Sequence, residues 1–254
     1  MIHLGITDTH AHLADPLFDK DRAEVIMRAQ MAGVSAIIGV STTLKDARKN
    51  LMLAKELSIL KPAAGLYPGY LDLDQAEKMA LFIRSNRSRL AAIGEVGLDY
   101  WLAKEDQERE LQRHIFNIFV DLSLELNLPL NVHSRSAGRH IISFLLQKSA
   151  ARVQLHAFDG KASSAQPAVE AGFFFSIPPS IVRSRQKQKL VLKLPIFCML
   201  VESGSPVLGP TIKQRNEPAN IPIAVKAISE LKEISQEELI EALAANTRRL
   251  YSGE

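Results

Sequence analysis

Apolar, β-branched segments alternate with segments of helical spacing along the whole chain, and this alternation restricts the fold more than any other feature. Strand-like runs cover residues 2–7, 34–40, 63–67, 90–96, 130–133, 153–156, 172–177 and 197–202. Helical spacing covers residues 19–32, 44–60, 74–87, 104–126, 136–148 and 164–171. Strands that each lead into a helix must run parallel, and eight such runs predict an α/β fold, the TIM (β/α)8 barrel. Several of the strands are apolar throughout, as expected when both faces are covered. A length of 254 residues suits one barrel, and with no repeat or long linker the expectation is a single domain over residues 1–254. A Pro- and Gly-bearing loop at 204–222 then leads to two helices, 223–233 and 236–251. Ser235, ahead of Gln236, Glu237 and Glu238, reads as the N-cap of the second.

Polar residues at the C-terminal ends of barrel strands are the ones that build active sites. The first strand runs into Asp8-Thr9-His10-Ala11-His12. Alternation along an extended chain points His10 and His12 the same way, so both imidazoles reach one divalent ion. The fourth strand leads through Glu95 to Asp99, the fifth ends at His133, followed by Ser134 and Arg135, and the sixth ends at His156. Taken singly, each has an ordinary structural role as a hydrogen-bonded core residue or a cap. Together, His10, His12, Glu95, His133 and His156 form a nitrogen- and oxygen-rich set suited to Zn²⁺, Mn²⁺ or a similar ion. If two ions bind, Glu95 is the natural bridge.

The segments DTHAHL, GEVGLDY, NVHSRSAGR, LHAFDG, FFSIPPSIVRS, GSPVLGP and RNEP, in this order, resemble the TatD family of metal-dependent hydrolases, closest to the branch typified by TatD domain-containing protein 3. The resemblance covers nearly the whole chain. It implies a TIM barrel, one or two divalent metals (Zn, Mn or Mg), and hydrolysis of phosphodiester bonds in DNA with 3′→5′ exonuclease character. Position by position it assigns His10 and His12 to the first metal, Glu95 to the bridging and catalytic carboxylate, and His133 and His156 to the remaining ligands. Arg135 is placed to contact a substrate phosphate through a forked, charge-assisted pair.

Two positions depart from the family pattern. Where the family closes its eighth strand with ETDSP, this chain has Glu202-Ser203-Gly204-Ser205-Pro206, so Gly204 stands at the metal-binding aspartate. Ser203 and Ser205 offer only neutral hydroxyls, and Glu202 lies two residues earlier on the same side of an extended chain. Where the family commonly shows GxHP, this chain has Gly65-Leu66-Tyr67-Pro68. Tyr67 can donate a hydrogen bond to an anionic substrate oxygen but cannot shuttle a proton near neutrality. These departures leave three readings: a DNase of reduced rate, a hydrolase of another ester, or a metal- and nucleic-acid-binding protein without turnover.

Composition narrows the setting. Apolar residues at 46% and charged residues at 23% fit a chain with a sizeable core. The net charge of +3 tolerates an anionic partner without demanding one. The basic run from Arg183 to Lys189 reads as a solvated helix start, with phosphate contact as the alternative. Cys198 is the sole cysteine, which excludes an intramolecular disulfide. No stretch approaches the roughly 20 apolar residues of a membrane span, and the first residues lack the layout of a secretion signal. The expectation is a cytoplasmic enzyme acting on DNA or another phosphodiester, with neither a membrane nor a protein partner.

Overall fold

A parallel strand can be followed by another only after a crossover, and helices supply these crossovers in the computed structural model, which describes residues 5–252. The strands are β1 (Ile6–Ala11), β2 (Val34–Gly39), β3 (Leu60–Ala64), β4 (Ala92–Gly97), β5 (Leu130–His133), β6 (Val153–His156), β7 (Phe174–Ile177) and β8 (Met199–Val201). They follow one another around the sheet in sequence order, each parallel to the next. The helices are α1 (Arg22–Met31), α2 (Leu44–Glu56), α3 (Leu73–Ser85), α4 (Asp106–Leu126), α5 (Gly138–Gln147), α6 (Gln166–Glu170), α7 (Arg185–Lys193), α8 (Ile221–Lys232) and α9 (Gln236–Tyr251). Between β8 and β1 closure comes from single bonds: Thr9 Oγ1 donates to Val201 O at 2.8 Å and Gly204 N to His10 O at 2.9 Å. The expected (β/α)8 architecture is present as a near-closed barrel.

Local chemistry explains where the helices begin. Thr43, Asp72, Ser184 and Ser235 each accept a hydrogen bond from the backbone N–H three residues on, satisfying a donor that has no partner inside the helix. Glu105 and Glu108 form a reciprocal capping box at the start of α4. Between sheet and helices lies the main core, with Phe18, Met79, Ile83, Phe116 and Phe119 fully buried. Burial of each such side chain contributes about 1.5–3 kcal/mol.

The interior of the barrel is a different environment. Thr9, Asn131, Gln154, Ser176 and Glu202 point inward from five strands or strand ends and are all buried. Gln154 Nε2 donates to Thr9 Oγ1 at 3.0 Å and Ser176 Oγ at 2.8 Å, and Ser176 donates to Glu202. Tyr251, the last residue of α9, donates to Gln154 Oε1 at 2.6 Å, so the final helix contributes to the same network. Expected all-apolar strands are thus apolar mainly toward the helices.

Several boundaries differ from those expected. β1 runs on through His10 because its ladder with β2 extends to Ala11, while residues 2–4 of the expected first strand lie outside the described residues. β3 starts at Leu60, which pairs with Ile37, and ends before Tyr67. β8 is shortened because Ile196–Cys198 form a 3-10 turn after Pro195. At the end of β4, Gly97 has φ +145°, and a Cβ there would meet His133 O at 2.1 Å. Glycine at this position lets β4 lie directly against the end of β5. Among the described residues no helix is long and apolar enough to cross a membrane.

Candidate metal centre

Glu95, near the end of β4, is the centre of the polar rim. Its carboxylate is buried, with one oxygen turned to each of two imidazole pairs. Oε2 lies 3.3 Å from His12 Nε2 and 3.9 Å from His10 Nε2. Oε1 lies 2.6 Å from His133 Nδ1 and 3.0 Å from His156 Nε2. Within each pair the facing nitrogens are 3.1 Å apart. The structure therefore brings together all five side chains expected at the metal site, from β1, β4, β5 and β6.

Hydrogen bonding on the far side of the rings fixes which nitrogen carries a lone pair. Asn131 Nδ2 donates to Thr9 O at 2.8 Å, so its Oδ1 is the acceptor for His10 Nδ1, also at 2.8 Å. His10 Nε2 is then a lone pair aimed at His12 and Glu95. Asp99, an acceptor, receives a hydrogen bond from His133 Nε2 at 3.0 Å, which leaves Nδ1 facing the Glu95 oxygen. Lone pairs converging on a carboxylate repel unless a cation or a proton lies among them. Four ligands about 2.1 Å from a zinc ion lie about 3.4 Å apart, which is close to most of these separations. The donor set fits a divalent ion on either side of Glu95: His10, His12 and Glu95, or Glu95, His133 and His156.

Charge is distributed unevenly between the pairs. Burial, together with the neighbouring His156, keeps His10 well below the ordinary imidazole range, and burial also lowers His12. At His156 burial works the same way but is outweighed by Glu95 and Glu202, so its pKa is pushed up to about 10. Burial is likewise overcome at His133, where hydrogen bonds to Asp99 and Glu95 raise the pKa. Glu95 itself, despite its burial, is held well below the usual carboxylate range by His156 and His133. Without a metal, protons on the His133–His156 side balance the buried carboxylate.

Residues not anticipated from sequence support this centre. Asp99 and Asn131 are fully buried and orient His133 and His10. Asp8 is also buried, its Oδ1 accepting from His10 N at 3.2 Å and Ser203 N at 2.8 Å, which ties the first strand to the segment after β8. Burial pushes the Asp8 carboxyl up to about 7. Alternation from His133 back to Asn131 signals that both face the barrel interior. Asp99 stands within the quoted GEVGLDY run, yet nothing in its spacing reveals its contact with His133.

Above the centre opens a cavity of about 630 Å³, lined by the five expected ligands and by Tyr67, Arg135, Asp159, Lys187, Gly204 and Leu208 among others. The Arg135 guanidinium lies 3.8 Å above the Trp101 ring, a cation–π contact that fixes its position on the cavity wall. Tyr67 lines the cavity as expected, but its hydroxyl donates to Asp99 Oδ2 at 2.9 Å. A phenol has one proton to donate, so in place of a bond to a substrate oxygen it supports the Asp99–His133 contact. Burial and Asp99 raise its pKa, which keeps that proton in place.

Glu202 is buried beneath the rim, where its Oε1 is 3.7 Å from His156 Nδ1 and neither atom has a hydrogen-bond partner among the described residues. His10, His156 and Glu202 form a further group whose ligand atoms lie within 4.8 Å of one another. Gly204 has φ +61°, and a Cβ there would meet Leu208 Cδ1 at 2.6 Å and Leu208 Cβ at 3.0 Å. Leu208 thus fills the space beside the position where the family aspartate is expected. It does so at φ +59°, a conformation that costs a non-glycine residue roughly 1–2 kcal/mol. Ser203 and Ser205 are buried, and Ser203 Oγ donates to Ser205 Oγ at 3.0 Å.

Comparison with known proteins gives the same frame. The family described as TatD related DNase matches residues 7–252. Human "Deoxyribonuclease TATDN3" is 43% identical over 98% of this chain and 95% of its own length. "3'-5' ssDNA/RNA exonuclease TatD" of Erwinia tasmaniensis is 32% identical over 96% of this chain and 99% of its own. Among solved structures, the TatD homologue YJJV of Escherichia coli superposes with a TM-score of 0.90 at 27% identity, covering 99% of both chains.

A ligand imidazole must give up its proton, so metal competes with protonation of His156. The proton on its raised site stabilises the metal-free fold fully below pH 6.5, and that stabilisation is lost as pH rises through about 10. Metal affinity is therefore expected to rise across the same window, with proton release. Titration calorimetry of Mn²⁺ in buffers of different ionisation enthalpy checks this; buffer-independent heats at pH 7 would contradict it.

Proposed function

The chain belongs to the TatD-related DNase family of metal-dependent hydrolases, and from that membership we propose that it hydrolyses phosphodiester bonds of DNA, removing nucleotides from a 3′ end. The observation that carries this reading is the buried Glu95 carboxylate between two imidazole pairs, at the floor of a cavity walled by Arg135. In this reading His10, His12 and Glu95 hold one divalent ion, and Glu95, His133 and His156 a second. The exonuclease direction is supported by the name of the Erwinia relative. The His-rich set suits Zn²⁺ or Mn²⁺, and Mg²⁺ with less preference.

A divalent ion in such a site supplies Lewis-acid polarisation of a phosphoryl oxygen and a nucleophile at neutral pH. The chain's own residues do the rest. Glu95 holds the two halves of the site at fixed separation. Asp99 and Asn131 keep His133 and His10 in one tautomer, a service whose loss elsewhere costs about 10–100-fold in metal affinity. Arg135, fixed on Trp101, offers paired N–H donors to a phosphate entering the cavity. The buried, unpaired Cys198 suits a reducing, cytoplasmic setting.

The missing carboxylate at Gly204 bears on rate. A general base typically contributes about 10²–10⁴-fold, and Gly204 has no side chain to supply one, with Leu208 taking the space beside it. We infer a hydrolase of reduced turnover. Leu208 also favours a second reading, a protein that binds metal and nucleic acid without cleaving it.

A 5′-labelled single-stranded oligonucleotide incubated with Mg²⁺, Mn²⁺ or Zn²⁺ should shorten from its 3′ end. In Glu95→Gln the rate should fall by at least about 10²-fold. No shortening by a wild-type chain that holds stoichiometric metal would favour the second reading. Restoring the carboxylate is a separate matter, because Gly204→Asp alone sets its Cβ against Leu208. The pair Gly204→Asp with Leu208→Gly removes both the collision and the left-handed leucine. The double variant is expected to cleave faster than wild type and faster than Gly204→Asp alone; equal rates in all three would rule out this carboxylate as the limiting defect.

A further inference from the structure

The run Arg183-Ser184-Arg185-Gln186-Lys187-Gln188-Lys189 is expected to be solvated, and most of it is: Arg183, Arg185, Gln186 and Lys189 are exposed. Lys187 is half-buried, as Ser184 and Gln188 are, but of these three it alone lines the cavity. It sits in the first turn of α7, turns inward and lines the cavity over the metal centre together with His133, Arg135 and His156. Its Nζ donates to Ala157 O at 2.9 Å, the carbonyl of the residue that follows the candidate ligand His156. An ammonium has three N–H donors, and among the described residues this bond is the only one Lys187 makes through Nζ. Two donors are left toward the cavity.

A half-buried cation with unused donors at a cavity wall is a favourable place for an anion. Two carboxylates lie in the neighbourhood and neither pairs with it. Glu202 accepts from Ser176 beneath the rim, and Asp159 accepts from Ser136 N at 3.0 Å and 3.3 Å through its two oxygens. Burial lowers the Lys187 pKa, against the pull of Glu202 and Asp159. The same cavity is lined by Arg135, which has no anionic partner among the described residues and is held on the Trp101 face. Two cationic groups therefore share one cavity with the site that would bind the metal ions.

We propose that Lys187 is a substrate-binding residue whose ammonium takes a non-bridging phosphate oxygen, in the same cavity as Arg135 and above the His133–His156 pair. This rests on the phosphodiesterase reading above and deepens it by naming a second phosphate ligand. The alternative role for Lys187 is purely structural, holding the Ala157 carbonyl and with it the loop after His156. The two roles separate by salt dependence. Each phosphate contact on a single strand contributes about 0.7 to the slope of log affinity against log salt, whereas a strut contributes none.

The test uses the metal-loaded full chain and an oligothymidylate protected at its 3′ end by phosphorothioates, with binding read by fluorescence anisotropy over a range of salt. Lys187→Met should weaken binding by about tenfold, the worth of one charge-assisted hydrogen bond, and flatten the salt slope by about 0.7. Metal content should stay as in wild type, and Lys187→Arg should retain the slope. Weaker binding with an unchanged slope, loss of metal, or no effect at all would each overturn the proposal. A second arm titrates inorganic phosphate into the same proteins, and Lys187→Met should bind it more weakly than wild type. A wild-type chain that ignores the oligonucleotide contradicts the nucleic-acid reading of the site; the phosphate arm then decides Lys187 alone, with equal affinities overturning it.

Discussion

A carboxylate taken out of water costs several kcal/mol unless positive charge compensates it, and Glu95 sits in that position with four imidazoles around it. The surrounding structure follows from that constraint. On one side protons supply the compensation, at His156 and His133. On the other, His10 and His12 are kept neutral by burial and present lone pairs. A site built in this way accepts a cation on the second side without losing a proton and on the first only by exchange. The two halves of the centre therefore differ in chemistry although they share one bridge.

Holding five side chains around a point requires more than five residues. Asn131 and Asp99 fix two of the rings from behind, and Gly97 allows β4 to approach β5 where the His133 ring is attached. Beneath them the barrel interior is polar, a network through Thr9, Gln154, Ser176 and Glu202 that the final helix completes with Tyr251. Buried networks of this kind rigidify a site when every member is satisfied. Among the described residues Glu202 Oε1, and with it Asp8 Oδ2 and the far nitrogen of the candidate ligand His156, Nδ1, are buried without hydrogen-bond partners.

The architecture was legible because periodicity is a local property. Leu130–His133, Val153–His156 and Gln236–Tyr251 coincide with the expected segments, and Ser235 caps its helix as its position suggests. The clustering of the five side chains was legible for a related reason, since strand ends of a parallel barrel share one rim and alternation puts His10 with His12, and His133 with Asn131, on the inner side. Contacts made across the rim are not local and left no trace. Nothing near Tyr67 in sequence shows that its hydroxyl donates to Asp99, and nothing near Gly204 shows that Leu208 fills the space beside it. Lys187 was obscured for the opposite reason, because most of its neighbours in the run are exposed while it is half-buried at the cavity wall.

The departures at Gly204 and Tyr67 alter the rim without dismantling it. Tyr67 is drawn into the support of His133, and Leu208 makes apolar the place beside Gly204 on the cavity wall. What remains is a set of nitrogen and carboxylate donors close enough together to hold a cation. Anomalous diffraction from crystals grown in Mn²⁺ tests that claim most directly. The account predicts a peak between Glu95 Oε2 and the His10–His12 pair, with or without a second on the His133–His156 side. A structure under saturating Mn²⁺ with no anomalous density at Glu95 would contradict it.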